Sequence, residues 1–231
     1  MIACPEPGVD FLGLTDFAKQ RKRMVERQLR RRGIDDERVL EAIASVPRER
    51  FVSERLARRA YADSALPIGD QQTISQPWVV AAICQALGLS GAERVLEIGT
   101  GSGYSTAILA RLADHVLSIE RFPGLAEAAA ERLAGLGIEL PGRVEILVGD
   151  GSLGAPDRAP FEAIAVHASA PAPPASLLEQ LAPGGRMVVP LAEPGVDMLT
   201  LLTATDAGLE RRTIAPCRFV PLVGEQGFGD R

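Results

Sequence analysis

An α/β fold is the class that the sequence predicts: a mostly parallel, doubly wound sheet of about seven strands, preceded by a helical extension at the N-terminus. From residue 94 onward, short apolar runs rich in β-branched residues alternate with helix-like segments, which is typical of right-handed strand-helix-strand crossovers. Ahead of residue 67, by contrast, the apolar spacing is helical. The chain has 231 residues, of which 46% are hydrophobic, so a single globular unit with one full core is expected.

The N-terminal region is expected to hold a loose arm and a helical subdomain. Residues 1–14 contain two Pro and two Gly without any period, which favours an arm. Thr15 is a plausible helix N-cap, and the basic segment that follows is helix-like up to Gly33. Its eight Lys or Arg against two acidic residues favour a solvated helix face, or alternatively a patch that attracts acidic polypeptides or a nucleic acid. We expect the helical subdomain to span residues 15–90.

Further helices are indicated by caps and by apolar spacing. IDDERVLEAIASV has Asp35 or Asp36 at its start and Pro47 just beyond its end. ERLARRAYA predicts a short third helix, and PWVVAAICQALGL predicts a longer apolar one. Between these two lies PIGDQQTISQPW, residues 67–78, which is longer and more polar than a simple connector needs to be.

The α/β core is expected over residues 91–231 and ends in a hairpin. Its strands are predicted at residues 94–99, 115–120, 143–151, 161–169 and 186–193, followed by two strands joined at TDAG. The predicted helices between strands are YSTAILARLA, FPGLAEAAAERLAGLG and PPASLLEQLAPGG. In the last two of these, Pro near the start and Gly near the end mark the helix limits.

The composition limits which binding partners and which cellular compartment are expected. A net charge of −5 argues against nucleic acid as the main partner, because phosphate contacts call for a basic excess. The cysteines, Cys4, Cys84 and Cys217, are widely spaced and lack a CxxC or His-rich neighbour, so neither a disulfide framework nor a metal site is expected. The sequence shows no apolar run of membrane-spanning length and no secretion signal, so we expect a cytoplasmic protein without a membrane partner.

The first predicted strand ends in EIGTGSGYS, a glycine loop of the kind that lets a ligand lie close to the chain beside a strand end. A dinucleotide fingerprint would be GxGxxG, but Tyr104 stands where its third Gly would be. A Walker A loop would need a Lys, and no Lys follows Lys22. The loop therefore favours a ligand with ribose and adenine but no phosphate chain.

Acidic residues at strand ends suit such a ligand. Glu120 ends the second predicted strand, 17 residues after Gly103, close to the offset at which a carboxylate accepts hydrogen bonds from a ribose diol. Asp150, followed by Gly151, ends the third strand and is placed to reach an adenine edge. Both could instead be surface carboxylates, although their positions at successive strand ends favour binding. Glu97, inside the first strand, either orients the glycine loop or is an ordinary surface carboxylate.

The constellation VLEIGTGSGYSTAILA, VLSIE, LVGDG, FEAIAVHASA and LAPGGRMVVP resembles S-adenosylmethionine-dependent methyltransferases. With PIGDQQTISQP ahead of the loop and RFVPLVG near the end, the chain is similar to one family in particular, the protein-L-isoaspartate (D-aspartate) O-methyltransferases. The resemblance implies a Rossmann-like fold and S-adenosylmethionine as cofactor. It also implies methyl transfer to the free carboxylate of L-isoaspartyl or D-aspartyl residues in damaged proteins, where the ester collapses to a succinimide and starts repair.

The family's functional residues carry over onto matching positions of this sequence. The resemblance places the active-site serine at Ser75, which alternatively caps the helix that follows it. It implies a cofactor site formed by Gln72, Thr73, Ile74, Ser75, Gly99, Gly101, Ser102, Gly103, Glu120, Asp150 and Gly151, and we count Glu97, as the residue that orients the loop, with this site. It implies substrate contacts at Thr73, Ser75, Val220 and Leu222. Many bacterial members resemble PIGxGQTIS, whereas this chain has Gln71 in place of the Gly.

Two alternatives to isoaspartyl repair keep the cofactor. The first is a relative that methylates a specific Asp in a dedicated partner peptide, with the basic helix as its docking surface. The second is a non-catalytic scaffold that binds S-adenosylmethionine.

A carboxylate with a pKa of about 4 needs no general base at neutral pH, so His115 and His167 are interpreted as structural residues. We expect a monomer that acts on isoaspartyl peptides.

Overall fold

The structure is a computed structural model that describes residues 16–229, so the expected arm at residues 1–14 and the N-cap at Thr15 lie outside the described residues. Its α-helices are α1 Phe17–Met24, α2 Glu37–Ser45, α3 Glu54–Ala57, α4 Pro77–Leu87, α5 Tyr104–Leu112, α6 Pro123–Ala134 and α7 Ala175–Glu179. Its strands are β1 Leu66–Gly69, β2 Gln72–Ile74, β3 Arg94–Ile98, β4 His115–Glu120, β5 Val144–Val148, β6 Phe161–Val166, β7 Leu181–Glu193, β8 Val196–Thr205 and β9 Gly208–Cys217.

The basic N-terminal helix runs to Gly33, as predicted, but it is not a regular α-helix throughout. The Asp16 carboxylate caps α1 by accepting a hydrogen bond from the Lys19 N–H (2.9 Å). The chain then continues through a π-helical turn, Val25–Leu29, and a 3-10 turn, and ends at Gly33 with φ of +88°. Its apolar side chains pack into the core while most of its basic side chains face solvent, which matches the predicted solvated face.

The stretch PIGDQQTISQPW forms a small antiparallel hairpin, which the sequence reasoning did not predict. Leu66 pairs with Ile74 and Pro67 with Thr73, and the turn between β1 and β2 falls at Asp70 and Gln71. Both turn residues have positive φ, +47° and +58°, a region in which Gly or Asn is the usual residue. The missing glycine is the reason that the sequence gives no hairpin signal here.

The central sheet has seven strands in the order β5-β4-β3-β6-β7-β8-β9. Neighbours from β5 to β7 are parallel, whereas β8 and β9 are antiparallel to their neighbours and extend the sheet at one edge. The chain moves outward from β3 to β5 and then returns to the other side of β3 with β6. A doubly wound sheet of this kind opens a crevice at the carboxyl ends of its strands, where the strand order reverses.

Alternate residues of each central strand enter two different apolar clusters, one on each face of the sheet. In β3, Val95 belongs to the larger cluster and Leu96 to the smaller one. The larger cluster also contains Leu40 and Ile43 of α2, so the helical region and the sheet share one core. The division of the chain at residue 90 therefore remains a proposal about sequence regions within one globular unit.

The predicted strand limits agree best with the structure where an apolar run stops sharply. Strand β4 lies at residues 115–120, as predicted. Strands β5 and β6 end earlier than predicted, at Val148 and Val166, because the chain after each apolar run leaves the sheet. Strand β7 starts five residues early, at Leu181, because Leu181 pairs with Phe161 ahead of a bulge.

Candidate active site

A crevice, called here the main cavity, opens at the carboxyl ends of β3, β4 and β6. The space between its walls is about 910 Å³, a volume that includes open solvent. Six segments contribute its wall: the end of the β1-β2 hairpin, the end of β3 with the glycine loop, the end of β4, and the chain that follows each of β5, β6 and β9. The wall residues are Gln72, Thr73, Ile74, Ser75, Ile98, Gly99, Thr100, Gly101, Ser102, Tyr104, Ser105, Ile119, Glu120, Arg121, Phe122, Gly151, His167, Ala168, Val220, Pro221, Leu222 and Val223.

The three glycines of the loop have different neighbours. A Cβ added at Gly101 would lie 3.4 Å from Ile68 Cδ1, so the hairpin passes directly over the loop. Gly103 has φ of +88° and precedes α5, and a Cβ added there would lie 3.2 Å from Ala129 Cβ on α6. The structure therefore places Gly99, Gly101 and Ser102 in the cavity wall, while Gly103 provides close packing between two helices.

Glu120 is fixed at the cavity wall by two backbone donors. The Gly101 N–H donates to Oε2 (2.7 Å) and the Phe122 N–H donates to Oε1 (3.0 Å). The residue is only 5% exposed, so its carboxylate is held in one orientation and its remaining lone pairs point where a ligand hydroxyl can reach. A carboxylate at this strand end is suited to bind a diol.

The structure gives the neighbouring residues Asp150 and Gly151 different surroundings. Gly151 lies in the main cavity wall, but Asp150 does not. The Asp150 carboxylate instead accepts hydrogen bonds from Ser152 N–H (2.9 Å), Ser152 Oγ (2.7 Å) and Glu225 N–H (2.8 Å). Burial by itself would raise the pKa of Asp150, but these donors together hold it below its usual value. In this structure the carboxylate therefore anchors the chain that follows β9.

Glu97 is neither a surface carboxylate nor a wall residue. It is fully buried, and its Oε2 accepts hydrogen bonds from Thr106 Oγ1 and from Ser118 Oγ, both at 2.6 Å. Ser118 has one hydroxyl proton, so the 2.6 Å contact between its oxygen and Thr100 Oγ1 must be donated by Thr100. The network ties Glu97 to the glycine loop, which agrees with the interpretation that it orients the loop.

His167 lies beside the same buried carboxylate. Its Nε2 is 3.2 Å from Glu97 Oε1, an ion-pair distance, but the two atoms are not aligned as a hydrogen bond. The side chain is 7% exposed and lines the main cavity. The purely structural interpretation of His167 is therefore incomplete, since the residue also shapes the site.

Ser75 follows β2 and lies in the cavity wall, ahead of α4. The N-cap of α4 is Gln76, and no side chain donates or accepts a capping hydrogen bond there. The alternative interpretation of Ser75 as a helix cap is therefore not supported. The carbonyl of Ser75 accepts a hydrogen bond from the buried Arg48 side chain (2.7 Å), which fixes the backbone at this point.

A second cavity adjoins the main one and shares four of its wall residues, Thr73, Ser75, His167 and Val220. The rest of its wall comes from the N-terminal helix, α4 and the chain around the end of β9: Arg32, Ala65, Gln76, Trp78, Val79, Pro216, Cys217, Arg218 and Phe219. It has two arginines and no acidic residue in its wall. The shared residues make the two cavities meet at Ser75.

The chain after β9, residues 219–229 and called here the C-terminal segment, closes one side of both cavities. Ser169 makes two backbone hydrogen bonds to this segment: its N–H donates to Val220 O (2.8 Å), and its carbonyl accepts from the Leu222 N–H (2.7 Å). Val220 and Leu222 are both in the main cavity wall. Of these two predicted substrate contacts, Val220 lines both cavities, whereas Leu222 lines only the main one.

Sequence reasoning missed several wall residues. Phe122 and Arg121 directly follow Glu120, so extending the strand-end argument by two residues would have found them. Tyr104 is almost fully buried yet lines the cavity, and the sequence comparison with the dinucleotide fingerprint gave it no role there. Burial raises the pKa of its phenol to about 12. Pro221 and Val223 had no sequence signal of their own.

Residues 16–229 contain neither a helix of membrane-spanning character nor a metal-binding cluster of side chains. No helix in that range is long and apolar enough to cross a membrane. No group of three or more His, Cys, Asp and Glu side chains there is arranged to hold a metal ion. Cys84 and Cys217, which fall in the same range, are both free thiols.

Comparison with protein families gives a match over nearly the whole described chain. Residues 19–227 match the family described as protein-L-isoaspartate(D-aspartate) O-methyltransferase. A protein-L-isoaspartate O-methyltransferase 1 from Syntrophobacter fumaroxidans is 50% identical over 215 residues, covering 93% of this chain and 99% of the relative. A protein-L-isoaspartate O-methyltransferase from Geobacter metallireducens is 49% identical over 215 residues, covering 93% and 98%.

Solved structures give the same result. A protein-L-isoaspartate O-methyltransferase superposes with a TM-score of 0.78 at 30% identity, covering 90% of this chain and 67% of the other. A Plasmodium falciparum protein described as a protein-L-isoaspartate O-methyltransferase, solved in complex with S-adenosyl-L-homocysteine, superposes with a TM-score of 0.76 at 25% identity. It covers 88% of this chain and 98% of the other.

Proposed function

The chain belongs to the protein-L-isoaspartate (D-aspartate) O-methyltransferase family, and on that basis we propose how its two cavities divide the reaction. It is an S-adenosylmethionine-dependent methyltransferase that acts on L-isoaspartyl residues of proteins. In our proposal the main cavity takes the cofactor and the second cavity takes the peptide. The observation that carries the proposal is the wall shared at Thr73, Ser75, His167 and Val220, where the two ligands would meet.

The residues of the main cavity fit S-adenosylmethionine by their chemistry. The Glu120 carboxylate is held by two backbone donors and keeps lone pairs for the ribose hydroxyls. Gly99 and Gly101 leave the loop without Cβ atoms where the ligand would lie close to the backbone. Ile119 and Phe122 provide an apolar surface for the adenine. Gln72, Thr73, Ile74 and Ser102 complete the proposed cofactor contacts, and Gly151 lies at the far end.

Three further candidates act through other residues in this proposal. Glu97 orients the glycine loop through Ser118, and Gly103 sets the packing of α5 against α6. Asp150 holds the C-terminal segment through the Glu225 N–H. Their effect on the cofactor would be indirect, because none of the three is in the cavity wall.

When bound, S-adenosylmethionine supplies an electrophilic methyl group: a carboxylate oxygen bonds to its carbon while the carbon-sulfur bond breaks with its electron pair on sulfur, giving a methyl ester and S-adenosylhomocysteine. The acceptor carboxylate, with a pKa of about 4, is already ionised at neutral pH, so no side chain has to remove a proton. What the chain must provide is alignment of the acceptor. We assign that role to the Ser75 hydroxyl, which can donate a hydrogen bond to the oxygen that does not react, with Thr73 beside it.

The walls also exclude water from the acceptor. The β1-β2 hairpin covers the glycine loop, and Val220 and Leu222 close the opposite side. Because the reaction joins two opposite charges into neutral products, a dry cavity of low polarity favours it over bulk water. The ester later leaves the site and collapses to a succinimide.

The test of this function compares two peptides that differ only in one linkage. One contains L-isoaspartate and the other contains L-aspartate at the same position, and methyl incorporation from labelled S-adenosylmethionine is measured for both. We expect methylation of the isoaspartyl peptide alone. Equal methylation of both peptides, or of neither while the cofactor still binds, would refute the assignment.

We further propose that the protein acts as a cytoplasmic monomer with no nucleic-acid or membrane partner. Support comes from the net charge of −5 and from the free thiols of Cys84 and Cys217, which suit a reducing compartment. Light scattering of the purified chain at micromolar concentration measures the oligomeric state. A mass of twice the monomer would contradict this part of the proposal.

A further inference from the structure

Arg48 is a buried cation without a carboxylate partner in the part of the chain that the structure describes. Its side chain is 0% exposed. Nε donates to Ala60 O and Nη2 donates to Ser75 O, both at 2.7 Å, while Nη1 has no hydrogen-bond partner among residues 16–229. A charge taken out of water without a counter-ion is strongly unfavourable, and such groups are concentrated at functional sites.

The guanidinium lies directly behind the point where the two cavities meet. Its Cζ is 4.7 Å from the centroid of the Tyr104 ring, and Tyr104 lines the main cavity. Its other neighbour, Ser75, lines both cavities. The titratable groups that face it are the phenols of Tyr104 and Tyr61, and Tyr104 interacts favourably with the cation. Burial raises the pKa of both phenols, so neither is negatively charged at neutral pH. Arginine stays charged in proteins, so the positive charge is separated from the cavities by one layer of the wall.

We propose that Arg48 is a positioning residue for the methyl-accepting carboxylate, and that this carboxylate is the counter-ion that residues 16–229 do not supply. The Nη2 hydrogen bond fixes the Ser75 backbone, and the uncompensated charge attracts an anion to the Ser75 side of the wall. The inference rests on the proposed function, because it assumes that the peptide carboxylate binds at Ser75. It adds a charge-based source of selectivity to the hydrogen bonds proposed there.

A control residue lies at the amino ends of the parallel strands, opposite the cavities. Arg94, at the start of β3, donates to two backbone carbonyls, Pro160 O (3.2 Å) and Arg158 O (2.7 Å). Its Cζ lies 5.4 Å from the centroid of the Phe161 ring. Arg94 therefore has the same kinds of contact as Arg48, but it is only partly buried and lies in the wall of neither cavity.

The experiment compares two ligands and three variants. The ligands are an isoaspartyl peptide and the same peptide with a neutral isoasparaginyl amide at the acceptor position, used as a competitive inhibitor. In Arg48→Met we expect the KM of the isoaspartyl peptide to rise at least about tenfold, while the Ki of the amide peptide changes less than about threefold. Arg48→Lys keeps the charge, so most of the wild-type preference for the isoaspartyl peptide over the amide peptide should return. Arg94→Met should leave both constants unchanged.

Equal weakening of both peptides in Arg48→Met would overturn the proposal, because a purely structural role does not distinguish a carboxylate from an amide. An unchanged KM would overturn it as well. The affinity for S-adenosylmethionine, measured by calorimetry, should stay within about threefold of the wild-type value in all variants. Retained affinity shows that a variant is folded.

The wild-type chain provides a test that does not depend on folding of a variant. Calorimetry should show that it binds the isoaspartyl peptide at least about tenfold more tightly than the amide peptide, with little change between about 50 and about 500 mM salt, since a buried charge is poorly screened. Equal affinities would refute the role of the buried charge. Binding is read separately from turnover, so a failure of methyl transfer would count against the proposed function and not against this preference.

Discussion

Glu120→Gln tests the cofactor site with the smallest change of shape. The carboxylate accepts one backbone hydrogen bond on each oxygen, from Gly101 at 2.7 Å and from Phe122 at 3.0 Å. Glutamine keeps one acceptor oxygen, but its NH₂ group would face a backbone N–H donor. Because the residue is 5% exposed, the N–H left without a partner is expected to lower the free energy of unfolding by about 1–3 kcal/mol.

The expected effect on the cofactor is larger than the loss of one neutral hydrogen bond. A hydrogen bond from a ribose hydroxyl to a charged acceptor contributes about 1.5–3 kcal/mol, so a loss of about 2 kcal/mol would weaken binding roughly thirtyfold. Calorimetric titration of S-adenosylmethionine and S-adenosylhomocysteine at neutral pH measures this change in Kd. Both ligands should lose affinity equally, because they share the ribose.

The control removes the same charge without touching the cavity. Glu127 on α6 is exposed, so Glu127→Gln should leave the Kd unchanged. A folded Glu120→Gln variant whose Kd for both ligands stays within about twofold of wild type would refute the ribose assignment. A loss for one ligand alone would also contradict it, since the ribose is common to both.

Four further outcomes are expected. Ser75→Ala should lower kcat on an isoaspartyl peptide by about 10- to 100-fold with cofactor affinity unchanged, because an aligning hydrogen bond is lost; steady-state rates equal to wild type would exclude the role. In Gly224→Ala the new Cβ would overlap Asp150 Oδ1, so the C-terminal segment should loosen. We expect a lower Tm and a higher KM for the peptide, and a variant with wild-type values would show that the segment adapts. Gln71→Gly should raise the free energy of unfolding by up to about 1 kcal/mol in urea titrations, because φ is +58° there; destabilisation would mean that the Gln side chain contributes more than the strain costs. Burial would raise the pKa of Glu93, but hydrogen bonds from neighbouring backbone and hydroxyl groups lower it to about 2. Since the folded pKa lies below the unfolded value of 4.5, Glu93 stabilises the fold above that pH and loses this effect as the pH falls towards 2. The Tm difference between wild type and Glu93→Gln should therefore shrink on acidification, and a constant difference would contradict the linkage.

The parts of the fold that the sequence predicted well are those set by local pattern. Strand β4 is an apolar run between polar residues, and its limits at residues 115–120 agree with the prediction. Gly33 and Gly88 end helices in a left-handed conformation, which only the absence of a Cβ makes easy. Glu120 could be placed in the site because parallel strands bring their carboxyl ends to one edge.

The parts that were missed depend on contacts between distant segments. The β1-β2 hairpin has Asp70 and Gln71 at its turn instead of a glycine, so its pairing depends on packing over the loop at Gly101. Arg48 lies in a polar segment, VPRERF, that reads as a surface turn. Its burial follows from carbonyl acceptors contributed by Ala60 and Ser75, 12 and 27 residues further along the chain, and no local pattern records such partners.

Asp150 shows that two carboxylates at equivalent strand ends can make different contacts. Its position at the end of β5 matches that of Glu120 at the end of β4, and the same reasoning assigned both to the ligand. The difference arises after β9, where the C-terminal segment returns to the sheet and places the Glu225 N–H 2.8 Å from Asp150 Oδ2. The same segment carries Val220 and Leu222 into the cavity wall, so the carboxylate holds the element that closes the site. Asp150→Asn should therefore affect peptide and cofactor binding together, whereas Glu120→Gln should affect the cofactor first.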